Sequence, residues 1–306
     1  MARPSSRFIL IFCAIIALTI STALAKEPKV KEKDLAGLTY GVFRDGSAPG
    51  RELLEYLVEQ MHWDNGGAAN LDRMSVHLRF EQVGEAGTPG GNLARYRLFA
   101  EGAPENKVYD LGIWKVGGTP SYGEQDLYVN SQGLVMTRRP QADEEALSQL
   151  PGIELYVSPK TIAGEPMRYA LLSRDGAVSA LGTLVPHPIA SQDGGCRLEA
   201  RIAEPNSAAV LLIADGFAAR TRLPVVLESL GEISNVDMTT DDSGHAVVAG
   251  FPFIKGQTHG VLKASAEGQN CLPTVQIPWD SSAATAPAAA PAGGAPAPAA
   301  GAGKKD

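Results

Sequence analysis

The sequence predicts a mainly β protein, in which a β-rich region with one or two short helices is followed by an antiparallel β-sandwich. Three observations carry this. Short apolar or alternating segments recur through the second half, at 196–202, 210–213, 224–227, 233–238, 245–249, 260–264 and 274–279. Turn signals separate them: Asp215-Gly216, Leu230-Gly231, Asp241-Asp242-Ser243-Gly244 and Glu267-Gly268. Short strands at this spacing imply a sandwich. Helical spacing is confined to the first half, at 53–61 and in a short stretch after Asp143.

Taken in order, residues 1–25 read as a cleavable secretory signal. Arg3 and Arg7 give a positive start, an apolar run covers 8–20, and Ala23-Leu24-Ala25 is a small-x-small cleavage site. The competing reading is an uncleaved anchor, but the run is short of the roughly 20 residues that span a bilayer. No later segment approaches that length, so no membrane span is expected after cleavage. The chain is therefore expected to be exported, to the periplasm or to the cell surface and beyond. The net charge of −7 disfavours nucleic acid and anionic membranes, which call for clustered cations.

Residues 34–150 are expected to form the mixed β-rich domain. Leu53, Leu54, Leu57, Val58 and Met61 share one helical face, with Pro49 placed to open the helix. Val76, Leu78 and Phe80 alternate as a strand, as do Tyr109, Leu111 and Ile113. Asn130-Ser131-Gln132-Gly133 is a hairpin turn, and Asp143 is placed to cap a short helix running to Leu150.

Residues 151–280 are assigned to the sandwich region. Arg174-Asp175-Gly176 joins two strands as a hairpin, and Pro186-His187-Pro188 then breaks pairing. Whether 153–185 belongs to the sandwich or bridges two domains is open on sequence. Residues 281–306 are almost wholly Ala, Pro, Gly and Ser, with no large apolar side chain to offset ordering entropy. They are expected to be a disordered tail, either a solubilising end or an envelope-crossing spacer.

Without the signal, Cys196 and Cys271 are the remaining cysteines. An even pair in an exported protein is most simply a disulfide. A nucleophilic cysteine is the alternative, with only Arg197 nearby in support.

The turn at Thr239-Thr240-Asp241-Asp242-Ser243-Gly244-His245-Ala246-Val247 resembles the late hairpin of bacterial immunoglobulin-like modules of invasin-type surface proteins. Lys255-Gly256 followed by 260–264 resembles their closing strands, and Asp215-Gly216-Phe217 leading into 224–229 their middle. The resemblance covers about 85 residues and implies an immunoglobulin-like sandwich. Such modules serve as spacers, adhesion units or binding units. Residues 26–150 resemble no family.

Local catalytic signatures are missing: no Gly-x-Ser-x-Gly elbow, no phosphate-cradling glycine loop, no His-Glu-x-x-His. No cofactor and no metal is expected. His245 and His259, with Asp241 or Asp242, are the residues best placed for a metal or proton-transfer site. Solvated turn residues are the preferred reading of them. Trp63, Trp114 and Trp279 are first of all core candidates. The segment His62-Trp63-Asp64-Asn65 mixes an aromatic, a carboxylate and, at Gly66-Gly67, flexible glycines, and is the candidate binding loop. The expected function is a non-enzymatic envelope protein that binds a protein or glycan or acts structurally. The alternative is a secreted hydrolase or carbohydrate-active protein using unassigned carboxylates.

Overall fold

The computed structural model describes residues 38–44, 49–64, 76–88, 91–137 and 152–280. The expected signal segment, the short helix after Asp143, Asn65 and the Ala/Pro-rich end lie outside these residues.

The carboxy-terminal sandwich has two facing sheets. One holds β12 (Ile189–Asp193), β13 (Cys196–Ile202), β14 (Val210–Asp215) and β17 (Ala246–Phe251). The other holds, in spatial order, β16 (Glu232–Thr239), β15 (Arg222–Ser229), β18 (His259–Ala266) and β19 (Thr274–Asp280). With β13, β14 and β17 as A, B and E, and β16, β15, β18 and β19 as C′, C, F and G, this is immunoglobulin-like connectivity. Alternation fills the space between the sheets. Leu198, Leu212 and Val248 meet Leu227, Leu262 and Ile277, and Trp279 closes one end over Phe253. The Trp279 indole N–H donates to Ser229 Oγ at 3.1 Å, which removes the cost of burying it.

The predicted turns are built as their chemistry requires. Leu230 and Gly231 both have positive φ, 49° and 85°, as a two-residue hairpin of the primed type demands. The Asp241 carboxylate accepts the backbone N–H groups of Ser243 and His245 and the Ser243 hydroxyl. Those donors hold its carboxyl down to about 2. The contribution of this turn is complete above the ordinary aspartate range near pH 4 and is lost as pH falls through about 2.

One strand of the sandwich comes from far away in sequence. β1 (Tyr40–Val42) pairs parallel to β17, with Tyr40 opposite Ala249, at the sheet edge beyond E. Gly41 sits so close to Val236 and Leu227 that any Cβ would collide with them.

A second pair of sheets carries the rest. β2 (His77–Thr88), β3 (Gly91–Glu101) and β9 (Tyr156–Val157) form one. The other runs β11 (Ser179–Leu184), β10 (Met167–Ser173), β4 (Tyr109–Lys115), β6 (Leu127–Val129), β7 (Val135–Thr137), β8 (Ile153–Glu154), with β5 (Ser121–Tyr122) paired to β4. Leu78, Tyr96 and Leu98 of the first pack on Leu111, Tyr169 and Leu171 of the second. The predicted hairpins at 130–133 and 174–176 both stand, the first with Asn130 Oδ1 accepting the N–H groups of Gln132 and Leu134.

The expected division at 150/151 does not coincide with a break in strand pairing. Strands between 153 and 184 hydrogen-bond to the sheets of the first half, while β1 joins the sandwich. Alternation in 167–184 marks a hairpin but says nothing of which sheet receives it.

Helix α1 (Arg51–Asp64) lies between the two bodies. Leu57 and Val58 bury against Leu211 and Ala249 on the outer face of the sandwich. This explains why 210–213 reads as apolar on both sides: Val210 and Leu212 face the interior, and Leu211 faces the helix. On its other flank α1 sets Tyr56 and Trp63 against Trp114, at 5.6 and 5.2 Å between ring centres.

Cys196, at the start of β13, and Cys271, just before β19, are bonded, with Cα atoms 6.1 Å apart. The closed loop spans 75 residues. By the chain-entropy account it contributes roughly 4 kcal/mol. Replacing both cysteines by alanine is expected to lower the urea-unfolding free energy by about 2–4 kcal/mol. Non-reducing peptide mapping of the native protein should show the linked pair. Two freely alkylated thiols in a folded sample would contradict it.

Candidate functional site

The candidate segment 62–65 is not a loop where it is described. His62, Trp63 and Asp64 form the last turn of α1. The glycines beyond Asn65 drew attention to flexibility, yet the helical spacing of the leucines upstream extends through this turn. Its three side chains go to three different places.

Asp64 turns inward. Its carboxylate receives Arg168 Nε at 3.0 Å and Nη2 at 3.3 Å, a two-point contact, and the Thr183 hydroxyl at 2.6 Å. Arg201 Nη1 approaches from the sandwich at 3.3 Å. Arg201 also donates to Glu199 at 2.7 Å, and Glu199 holds Arg197. The Asp64 and Arg168 side chains are 7% and 1% exposed, so the pair is dry. Burial pulls the Arg201 guanidinium down, but the Asp64 and Glu199 carboxylates outweigh it and raise it. The guanidinium of Arg168 also sits 5.3 Å from the Trp114 ring centre, within cation–π range. This network joins α1, the β10–β11 hairpin and β13. Sequence reading missed it, although Arg168 left a trace: a cation within an otherwise apolar strand, 167–172.

His62, at the surface, and Trp63, half-buried against Trp114, form one wall of a groove of ≈ 590 Å³. That is within the range of small-molecule and peptide pockets. Register explains its floor. Met167, Tyr169 and Leu171 face the core, so Ala170 and Leu172 point the other way, beside Gly112 of β4 and Leu181 of β11. α1 covers only one end of this face. Pro120, Ser121 and Tyr122 of the β4–β5 hairpin supply the opposite wall, with Tyr122 69% exposed. Glu59, one helical turn before Trp63, is the groove's single carboxylate.

The other candidates do not converge. His245 Nδ1 lies 2.7 Å from Asp215 Oδ1, beside a hollow of ≈ 150 Å³ that also touches Arg201. His259 is exposed and bonds Thr258 at 3.1 Å. Asp242 pairs with Arg220, and Asp241 is committed to its turn. Among the described residues, no group of three or more His, Cys, Asp or Glu side chains is placed to hold a metal ion. Trp114 and Trp279 are both buried.

The ion pair yields a stability prediction. Asp64→Ala leaves Arg168 charged in a dry site, and such a loss costs about 3–5 kcal/mol. Asp64→Leu combined with Arg168→Met removes both charges and is expected to recover most of it. Urea unfolding of the three proteins checks this. A single-variant loss under about 1 kcal/mol would show that the pair is not desolvated as described.

No protein-family model matches the chain, and no curated protein matches it. Among solved structures, it is similar to the crystal structure of a tetra-tandem repeat in the extending region of a large adhesion protein, at 14% identity and a TM-score of 0.23. The match covers 68% of this chain and half of that one, and at this TM-score it carries no argument about function.

Proposed function

We infer that this chain is an exported, non-enzymatic envelope protein that binds a partner through the groove between α1 and the β4–β5 hairpin. The observation that carries the reading is the open, apolar face of β4, β10 and β11, flanked by Trp63 and Tyr122. Apolar surface left uncovered beside an exposed aromatic ring, here Tyr122, with the half-buried Trp63 on the facing wall, is characteristic of binding sites rather than of ordinary surface. Export is supported by the signal pattern of residues 1–25 and by the cysteine pair, which favours an oxidising compartment. Among the described residues no helix is long and apolar enough to cross a membrane.

The carbohydrate-active alternative draws on the same two rings, since sugars stack on exposed aromatics. Hydrolysis of a glycoside ordinarily uses two carboxyl groups flanking the bond. The groove presents one, Glu59, and its floor of Gly112, Ala170, Leu172 and Leu181 offers no side-chain partner for sugar hydroxyls. A protein or peptide partner with small apolar side chains fits better.

Affinity capture from envelope extract with the wild-type chain is expected to recover one protein. Trp63→Ala and Tyr122→Ala should each weaken its capture at least tenfold; the urea midpoint should stay within a small shift in Tyr122→Ala and fall in Trp63→Ala, which also loses its packing on Trp114. Capture unchanged in both variants would remove the groove from the function. Tight binding of a purified envelope glycan, lost in Trp63→Ala, would favour the carbohydrate reading instead.

A further inference from the structure

Resting on the groove as a binding surface, we propose that its resident occupant is the Ala/Pro-rich end of the same molecule, residues 281–306, which a partner displaces.

The first support is chemical fit. Grooves walled by aromatic rings over a small-residue floor take proline-rich segments, whose extended form costs little entropy to fix. Here Trp63 and Tyr122 face each other across Gly112 and Ala170, with Pro120 beside them. Residues 281–306 carry Pro287, Pro291, Pro296 and Pro298, spaced by alanines and, between Pro291 and Pro296, also by Gly293-Gly294. They have no bulky side chain that so shallow a floor would refuse. They include Lys304-Lys305, followed by Asp306, and the groove's single carboxylate is Glu59.

The second support is where the end begins. β19 finishes at Asp280. Two residues earlier, the Pro278 carbonyl accepts the Ser207 hydroxyl at 2.9 Å. Ser207 belongs to a 3-10 turn (Pro205–Ser207) whose proline packs directly on Gly117. Gly117 lies in the turn between β4 and β5, three residues before Pro120 of the groove wall, and its N–H donates to Tyr56 of α1. The root of the segment is thus fastened to the element that builds the groove. At about 3.1 Å per extended residue, Pro287 reaches roughly 20 Å from Asp280, and the whole end about 80 Å.

Tethering makes a weak contact sufficient. A short flexible linker holds its end at an effective concentration on the order of 1 mM. An intrinsic Kd near 0.1 mM then leaves the groove about nine-tenths filled, and a competing ligand binds about tenfold more weakly than to an empty groove.

The test uses the full chain. Benzoylphenylalanine placed at position 122 in place of Tyr122 is photolysed and the products are mapped by mass spectrometry. Cross-links from position 122 to peptides within 281–306, in a band of monomer mass, are the expected result. In a second full-length protein, Pro287, Pro291, Pro296 and Pro298 are changed to glycine. Its cross-links to the end should fall sharply, and anilinonaphthalene sulfonate should bind its groove about tenfold tighter than it binds the wild type. Cross-links that omit 281–306 overturn the proposal. So does a covalent dimer through those residues, which would make the occupant a second copy. Dye affinity equal in the two proteins overturns it as well. If Trp63→Ala abolishes partner capture but no such cross-link forms, the binding reading survives and the resident occupant does not. If the cross-link forms while capture ignores Trp63→Ala, the occupant survives and the partner site lies elsewhere.

Discussion

The two β bodies are held in register by a buried charge contact that neither could satisfy alone. Asp64 stands at the end of α1, Arg168 and Thr183 come from one body, and Arg201 from the other. Removing charges from water costs several kcal/mol per ion unless geometry returns it. The two-point Asp64–Arg168 contact and the Arg201–Glu199 branch provide that return only when helix, hairpin and sandwich are docked together. Apolar packing of Leu57 and Val58 holds the helix to the sandwich, but it is non-directional. The ion network sets the angle at which the last turn arrives.

That angle is what makes the groove. Because Asp64 is drawn inward, Trp63 is set on Trp114 and His62 is left at the surface. Ala170, Leu172 and Leu181 line the groove beside that turn. A structural device and a binding surface therefore occupy adjacent residues of a single helical turn. An aromatic, a carboxylate and nearby glycines in consecutive positions carry the sequence signal of a loop, although His62, Trp63 and Asp64 close a helix.

Much of the fold was legible and the site was only partly so, for a common physical reason. The strands, hairpin turns and cysteine pair of the sandwich depend on local alternation, turn chemistry and pairing arithmetic, and each of these is written in consecutive residues. Leu230-Gly231 and Asp241–Gly244 state their own geometry. Sheet membership depends on contacts between residues far apart. Hence 167–184 read correctly as a hairpin, while the sheet it joins was not visible, and β1 gave no sign of belonging to the sandwich at all. The groove lies further still from sequence. It exists because Gly112 and Ala170 are small and adjacent across two strands, beside the last described turn of α1. Trp63 was visible as an aromatic beside a carboxylate; Tyr122, a two-residue strand on the far wall, was not.

The parallel edge strand has a consequence for how such a chain is made. Tyr40 finds its place beside Ala249, about two hundred residues later in the order of synthesis. Closing so long a separation is slow, and its reward arrives only once β17 exists. Until then the β-sandwich lacks its outer strand, and α1 lacks the surface that Leu57 and Val58 cover. In a chain made from its amino end, β1 and α1 therefore stay undocked until β17 follows, while the strands between 77 and 184, which pair among themselves, carry no such delay.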